Sequence, residues 1–253
     1  YFEIGLTLVF VLNSLAGILF REAVYPGTDL VKVFYVNDWL NVVFGIVMLI
    51  VCLGLVRLKD GTVGFLRMGF CLFMLYNAVP VMLVAGNPVS IAVEVVIVSG
   101  CAAAFILRNR DMAGAVITVE MRKWLRILIS VFVMAFAVIF IARGVMNIGK
   151  YLSGDLGRSD FAVSVSDMIV SLVWLACGIL FLADRRFGNG NIVPVLFQSS
   201  LLYVGLIIYL IVTPIVYREG FDWGGIVVIV IMSLFFIVPL FLTAGKVRLF
   251  REE

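Results

Sequence analysis

The chain has 253 residues, of which 64% are hydrophobic and 14% charged, and its nineteen basic and sixteen acidic residues leave a net charge of +3. A soluble domain is about 45–50% apolar and about 25% charged, so a soluble enzyme of this size is excluded, and the small positive charge does not suit nucleic-acid binding. Histidine is absent, which removes His-based triads, His-ligated haem and His-containing metal sites.

The first apolar run covers roughly 3–20. It begins just after Tyr1, and a start without methionine reads as a trimmed or processed chain. Seven further runs follow at roughly 39–58, 63–85, 89–107, 124–142, 167–184, 192–213 and 225–245. A helix needs about 20 mostly apolar residues to cross about 30 Å of hydrocarbon. No period-2 alternation supports a transmembrane β-barrel, so helices satisfy the backbone. The predicted fold is all-α: a polytopic transmembrane helical bundle of about eight spans.

Breaks between runs carry turn and cap chemistry. Asp38, Asp167 and Asp222 each precede an apolar run and are expected to cap a first helical turn. Asn87 and Pro88 read as an N-cap and an N1 proline. Lys59-Asp60-Gly61 and Gly188-Asn189-Gly190-Asn191 read as turns. Trp39, Trp124 and Trp223 sit at run edges, where an aromatic belt forms. The segment Val31–Val36 is apolar enough to lie against the bilayer. The stretch 108–123, with Arg108, Arg110, Arg122 and Lys123, reads as a short interfacial helix attracted to anionic lipid.

Alternating spans place thirteen of the nineteen basic residues on one face and six on the other. The richer face holds Arg57, Lys59, Arg67 and the basic residues near 110, 123, 185 and 248. By the positive-inside rule it is cytoplasmic, with both termini on that side. The opposite loops hold eight acids and are mildly acidic.

The halves show related sequence. Leu6, Val9, Phe10, Val11 and Arg21 match Leu128, Val131, Phe132, Val133 and Arg143 at an offset of 122. Asp38, Ile50, Leu53, Arg57 and Gly61 match Asp167, Ile179, Leu182, Arg186 and Gly190 at 129, and Tyr25 and Asp29 match Tyr151 and Asp155 at 126. A parallel 4+4 internal repeat is expected, with residues 1–110 as the first four-helix unit, 111–123 as a cytoplasmic or interfacial connection and 124–253 as the second.

Ionisable groups at membrane depth are functional candidates. Glu94, about five residues into the fourth run, reads either as a proton or cation site or as a carboxylate bonded to a neighbouring helix. Asn77 and Asn41 complete a candidate intramembrane polar site, although such amides also bond across helices without a pathway role, as Asn13, Gln198, Ser14, Ser130 and Ser171 do in the same reading. Arg67 and Arg126 read as arginines snorkelling to the surface. Arg21, Tyr25, Asp29 and Asp38 recur as Arg143, Tyr151, Asp155 and Asp167, where loops of about 20 residues are expected. They read either as paired outer-loop elements for a ligand or partner, or as snorkelling arginine, belt tyrosine and capping aspartate. Gly100 and Ala104, in the run Gly-Cys-Ala-Ala-Ala, mark close helix packing.

The four cysteines lie singly inside apolar runs, with no CxxC pair. No GxSxG, HExxH or Walker A pattern occurs, so no catalytic, cofactor or metal residues are expected. The sequence therefore reads as a non-enzymatic membrane protein in a lipid bilayer. Its expected role is a structural or accessory subunit alongside other membrane-protein subunits. The alternatives are a transporter or channel for a small or apolar solute, lipid included, and the membrane sensor region of a signalling protein continuing past Lys246–Glu253.

Overall fold

The computed structural model describes residues 2–55, 60–112 and 115–251. Long helices are α1 (Phe2–Leu19), α3 (Thr28–Cys52), α4 (Asp60–Val84), α5 (Pro88–Asp111), α6 (Lys123–Leu152), α7 (Arg158–Leu182), α8 (Arg186–Tyr217) and α9 (Trp223–Ala244). One turn of helix, α2 (Arg21–Val24), links α1 to α3, and two strands, β1 (Ala115–Val119) and β2 (Val247–Arg251), complete the described elements. All eight long helices are apolar enough to cross a membrane. The chain is an all-α, multi-pass bundle, as the apolar runs require.

The start of α1, the ends of α3, α5, α7 and α9, the starts of α4, α6 and α8 and both strands share one end, called proximal below. Several contacts fix this arrangement. Arg67 on α4 donates to the Cys52 carbonyl at 2.9 Å and lies 3.9 Å from Glu3. Asn191 on α8 donates to Asn109 on α5 at 2.6 Å. At the distal end Lys32 on α3 pairs with Glu219, and Arg158 donates to the Leu83 carbonyl at 2.8 Å.

The helices run longer than their apolar runs. With 30 and 32 residues, α6 and α8 reach about 45–48 Å at 1.5 Å per residue. They exceed the hydrocarbon thickness and must tilt or project. Outward faces stay apolar, with Leu8, Val47, Ile106, Val138, Ile231 and Phe241 exposed, as lipid contact requires. Trp124 and Trp223 are exposed at helix starts, in keeping with an aromatic belt, whereas Trp39, also exposed, lies midway along α3. The four cysteines are free and buried.

Several expectations are corrected. The loops of about 20 residues do not form: α3 begins at Thr28, α6 runs to Leu152 and α7 starts at Arg158. Val31–Val36 is accordingly part of α3, with Phe34 and Val36 buried in the protein. Asp38 and Asp167 therefore lie inside helices and are buried, while the capping role holds for Asp222, which accepts from the Gly225 N–H at 2.9 Å. Asn87 caps α5 as expected, accepting from the Val89 N–H at 2.9 Å ahead of the N1 proline.

The interfacial helix at 108–123 is replaced by β1. The run Ala-Val-Ile-Thr-Val is rich in β-branched residues. Pairing with β2 in antiparallel register, Ile117 opposite Leu249 and Val119 opposite Val247, satisfies its backbone outside the helices. Ile117 and Val119 are buried, as period-2 alternation demands.

Gly188-Asn189-Gly190-Asn191 is not a turn but the buried first stretch of α8. Gly188 lies against the backbone of α7, where a Cβ would sit 2.0 Å from the Phe181 nitrogen. Asn189 donates to the Ile117 carbonyl at 3.0 Å and ties α8 to the ribbon. The glycines here supply space rather than turn geometry. Of the other predicted turn, Lys59 lies outside the described residues, as does Arg57, while Asp60 and Gly61 fall within α4.

Small residues set two more crossings. A Cβ on Gly69 would meet the Pro194 carbonyl at 2.6 Å, where α4 crosses α8. A Cβ on Gly100 would meet Leu6 at 2.8 Å, and Cys101 and Ala104 are buried beside it. The small-residue patch of α5 thus packs on α1 of the same chain. Because α4 also packs along α7 and α8, the boundary between the two predicted halves runs through the core.

Candidate functional site

Two buried polar groupings lie in the distal half. The first joins α1, α3 and α5. Tyr25 donates its hydroxyl to Asp38 Oδ2 at 2.7 Å, and Asn13 donates to Glu94 Oε1 at 2.7 Å. Asp38 and Glu94 are each 3% exposed. Gly17 makes the first bond possible, because a Cβ there would lie 2.1 Å from Asp38 Oδ2. Glu94 Oε2 has no partner among the described residues. Glu94 is thus bonded across helices to α1.

The second grouping surrounds a cavity of about 430 Å³ bounded by α3, α4, α6, α7 and α8. Its lining begins with a proline. Pro80 inside α4 has no N–H, so the carbonyl four residues earlier, that of Tyr76, loses its helical donor. Ser166 on α7 fills the vacancy, donating its hydroxyl to the Tyr76 carbonyl at 2.6 Å. The next residue of α7, Asp167, accepts the Tyr76 hydroxyl at 2.9 Å. Backbone and side chain of one tyrosine thereby hold α7 against α4.

From Asp167 the face of α7 continues through Val170, Ser171 and Trp174, all lining the cavity at helical spacing. Trp174 donates its indole N–H to Gln198 at 2.7 Å. Its ring packs edge-on against Phe140, with centroids 5.9 Å apart, and lies 5.3 Å from Phe236. Phe236 also stacks on Tyr203 at 5.2 Å. The Tyr203 hydroxyl is buried without a partner among the described residues. Across the cavity Asn37 donates to Asn77 at 3.1 Å, and Asn77 donates to the Phe73 carbonyl at 2.9 Å.

Arg143 lines the same cavity, as does Asp160 in the first turn of α7. Among the described residues Arg143 makes no hydrogen bond or ion pair; the four ion pairs found are Lys32–Glu219, Arg67–Glu3, Arg126–Asp184 and Arg248–Glu120. The cavity is therefore apolar and aromatic in its walls, with a few convergent polar groups, as small-molecule sites generally are.

The sequence-predicted residues divide among these places. Asn77, Arg143 and Asp167 line the cavity, while Glu94 and Asp38 belong to the first grouping and Asn41 is buried with its Oδ1 unpartnered. Arg21 lies 5.6 Å from the ring centroid of Tyr35. Tyr151 stacks on Phe161 at 4.2 Å, Asp29 is in the exposed first turn of α3, and Asp155 accepts from Ser153 at 2.8 Å. The eight paired outer residues therefore do not form two equivalent loops. Asp38 and Asp167 do share a role, each accepting a tyrosine O–H, but Tyr25 and Tyr76 occupy non-equivalent positions.

Sequence reasoning missed Tyr76, Trp174, Tyr203 and Ser166. The signals were a proline inside an apolar run and the spacing 167, 170, 171, 174. Arg126 was expected to snorkel; instead it donates to Asp184 and to the Val119 carbonyl at 3.1 Å, closing the α6, α7–α8 and ribbon junction. Bonds from Asn189 and Arg126 hold the Asp184 carboxyl below its ordinary range, against a smaller opposing effect of burial. Among the described residues no group of His, Cys, Asp and Glu could hold a metal ion. In comparisons with protein-family models, curated proteins and solved structures, the chain has no significant match.

Proposed function

We propose that this chain is a non-enzymatic membrane protein that binds a small, partly apolar solute in the distal cavity and carries it across the bilayer. One observation supports this above the others: an aromatic cavity of about 430 Å³ that holds Asp167, Arg143 and the unpartnered Tyr203 hydroxyl between helices of both predicted halves. A protein that served packing alone gains nothing from leaving the buried Tyr203 hydroxyl unsatisfied there, since such a group costs about 1–3 kcal/mol. The proximal, base-rich end faces the cytoplasm in this reading.

The second reading is an accessory subunit of a membrane complex, favoured by extensive exposed apolar faces such as that of α9. A solute screen separates the two. A solute at a hundred times its Kd stabilises the purified protein by about 2.7 kcal/mol. That corresponds to roughly 5–10 °C in unfolding midpoint for a chain of this size. Stabilising solutes are then tested for uptake into proteoliposomes. Ser171→Phe, which fills the cavity, is expected to abolish both effects while leaving the unliganded midpoint within a few degrees. Stoichiometric co-purification with other subunits, with no solute stabilising or entering, would favour the accessory reading instead.

A further inference from the structure

We propose that the cavity is built for a zwitterion, with the ligand's ammonium at Asp167, its anionic group at Arg143 and an apolar body along the aromatic wall. This rests on the solute-site reading above and names the chemistry of that site.

The geometry that carries it is two opposite charges lining one cavity without an ion pair between them. Asp167 is 7% exposed; its Oδ1 accepts from Tyr76, and its Oδ2 accepts no hydrogen bond from the described residues. Arg143 has neither hydrogen bond nor ion pair among them. Asp167 is buried, where a positive charge brought to it is attracted strongly, while Arg143 is an exposed residue at the cavity wall that leaves this pairing unmade. Unpaired with each other, they offer two poles to a ligand. A simple cation meets Asp167 but is repelled by Arg143, and a simple anion meets the reverse problem. A dipolar ligand satisfies both.

The walls agree. Tyr76 bonds Asp167 and Trp174 lines the same wall two turns further along α7, and aromatic rings attract ammonium groups. Ser171 and the Tyr203 hydroxyl, 4% exposed at the residue level and unpartnered, add neutral donors and acceptors. Asp160, the other acid of the lining, sits in the first turn of α7, where a carboxylate complements the helix dipole. A zwitterion reaches the site either as a free solute or as a lipid headgroup.

The test uses four ligands with one aromatic body: phenylalanine, phenethylamine, 3-phenylpropionate and ethylbenzene. Glycerophosphocholine represents a headgroup. Affinities are measured by calorimetry on the purified protein in detergent. Phenylalanine or glycerophosphocholine is expected to bind at least tenfold tighter than the three singly charged or neutral compounds, and which of the two binds identifies the source. Arg143→Gln should weaken the zwitterion at least tenfold and leave phenethylamine no weaker. Asp167→Asn, which can still accept from Tyr76, should weaken phenylalanine and phenethylamine but not phenylpropionate.

Equal binding of phenethylamine or ethylbenzene and phenylalanine to the unaltered protein overturns the zwitterion. If Ser171→Phe abolishes that equal binding, the solute-site reading survives it. Binding by none of the five also overturns the zwitterion, and the uptake screen alone then decides the solute site.

Discussion

Replacing Gly188 by alanine sets two effects of opposite sign against each other. In a helix interior, alanine is favoured over glycine by about 0.5–1 kcal/mol. Gly188 lies within α8, so local propensity alone predicts stabilisation. The added Cβ, however, would sit 2.0 Å from the Phe181 nitrogen, 2.3 Å from the Leu180 carbonyl carbon and 2.4 Å from the Phe181 Cα. All three atoms are backbone and cannot rotate away. Ordinary contact begins near 3.4 Å, so α7 and α8 must separate by about 1.4 Å, the difference between that contact and the 2.0 Å approach. Overpacking of this kind costs about 1–3 kcal/mol, and a backbone clash belongs at the upper end. The net expectation is a loss of about 2 kcal/mol, or roughly 4–8 °C in midpoint. The assay is thermal unfolding in detergent followed by tryptophan fluorescence. Gly149→Ala is the control, since that helical glycine has nothing within 4 Å of its Cβ position, and it should be neutral or slightly stabilising. A Gly188→Ala protein as stable as the parent would refute the close approach and restore the open-turn reading of this segment.

Two further outcomes follow from the proximal junction and the span order. Asp184 has its pKa lowered by bonds from Asn189 and Arg126. A depressed carboxylate contributes stability above its unfolded pKa, near 3.9, which is lost as pH falls through its lower folded value. Acid unfolding should therefore show a loss below about pH 4 that Asp184→Asn diminishes; identical acid profiles for the two proteins would count against the junction. Cysteines placed at Asp155 and Asp184 should label from opposite sides of a sealed vesicle, with little background because the native cysteines are buried. Labelling from one side would contradict the eight-span path.

The eight spans were legible because apolar length is a strong signal, and the caps at Asn87 and Asp222 because polar residues there precede a helix start. The true ends of α3, α6 and α7 were not. Each continues through charged residues beyond its apolar run, and hydropathy stops where charge begins. The same rule mistook Asp38 and Asp167 for caps: a carboxylate at the start of an apolar run looks alike whether it faces water or the interior. Gly188 to Asn191 carried turn residues, but their glycines answer to a neighbouring helix that the local sequence does not contain. The cavity was illegible for a related reason. Its chemistry depends on which faces of α4 and α7 meet, and only the proline at 80 hinted that Tyr76 had a bond to offer.

The β1–β2 ribbon has a mechanical meaning. It joins the connection between the two halves to the segment after α9, and Asn189 and Arg126 fasten it to α8 and α6. The hollow lies at the other end. A bundle clasped at one end and hollow at the other is most tightly restrained at the ribbon and least so where Arg143 and Asp167 line the cavity.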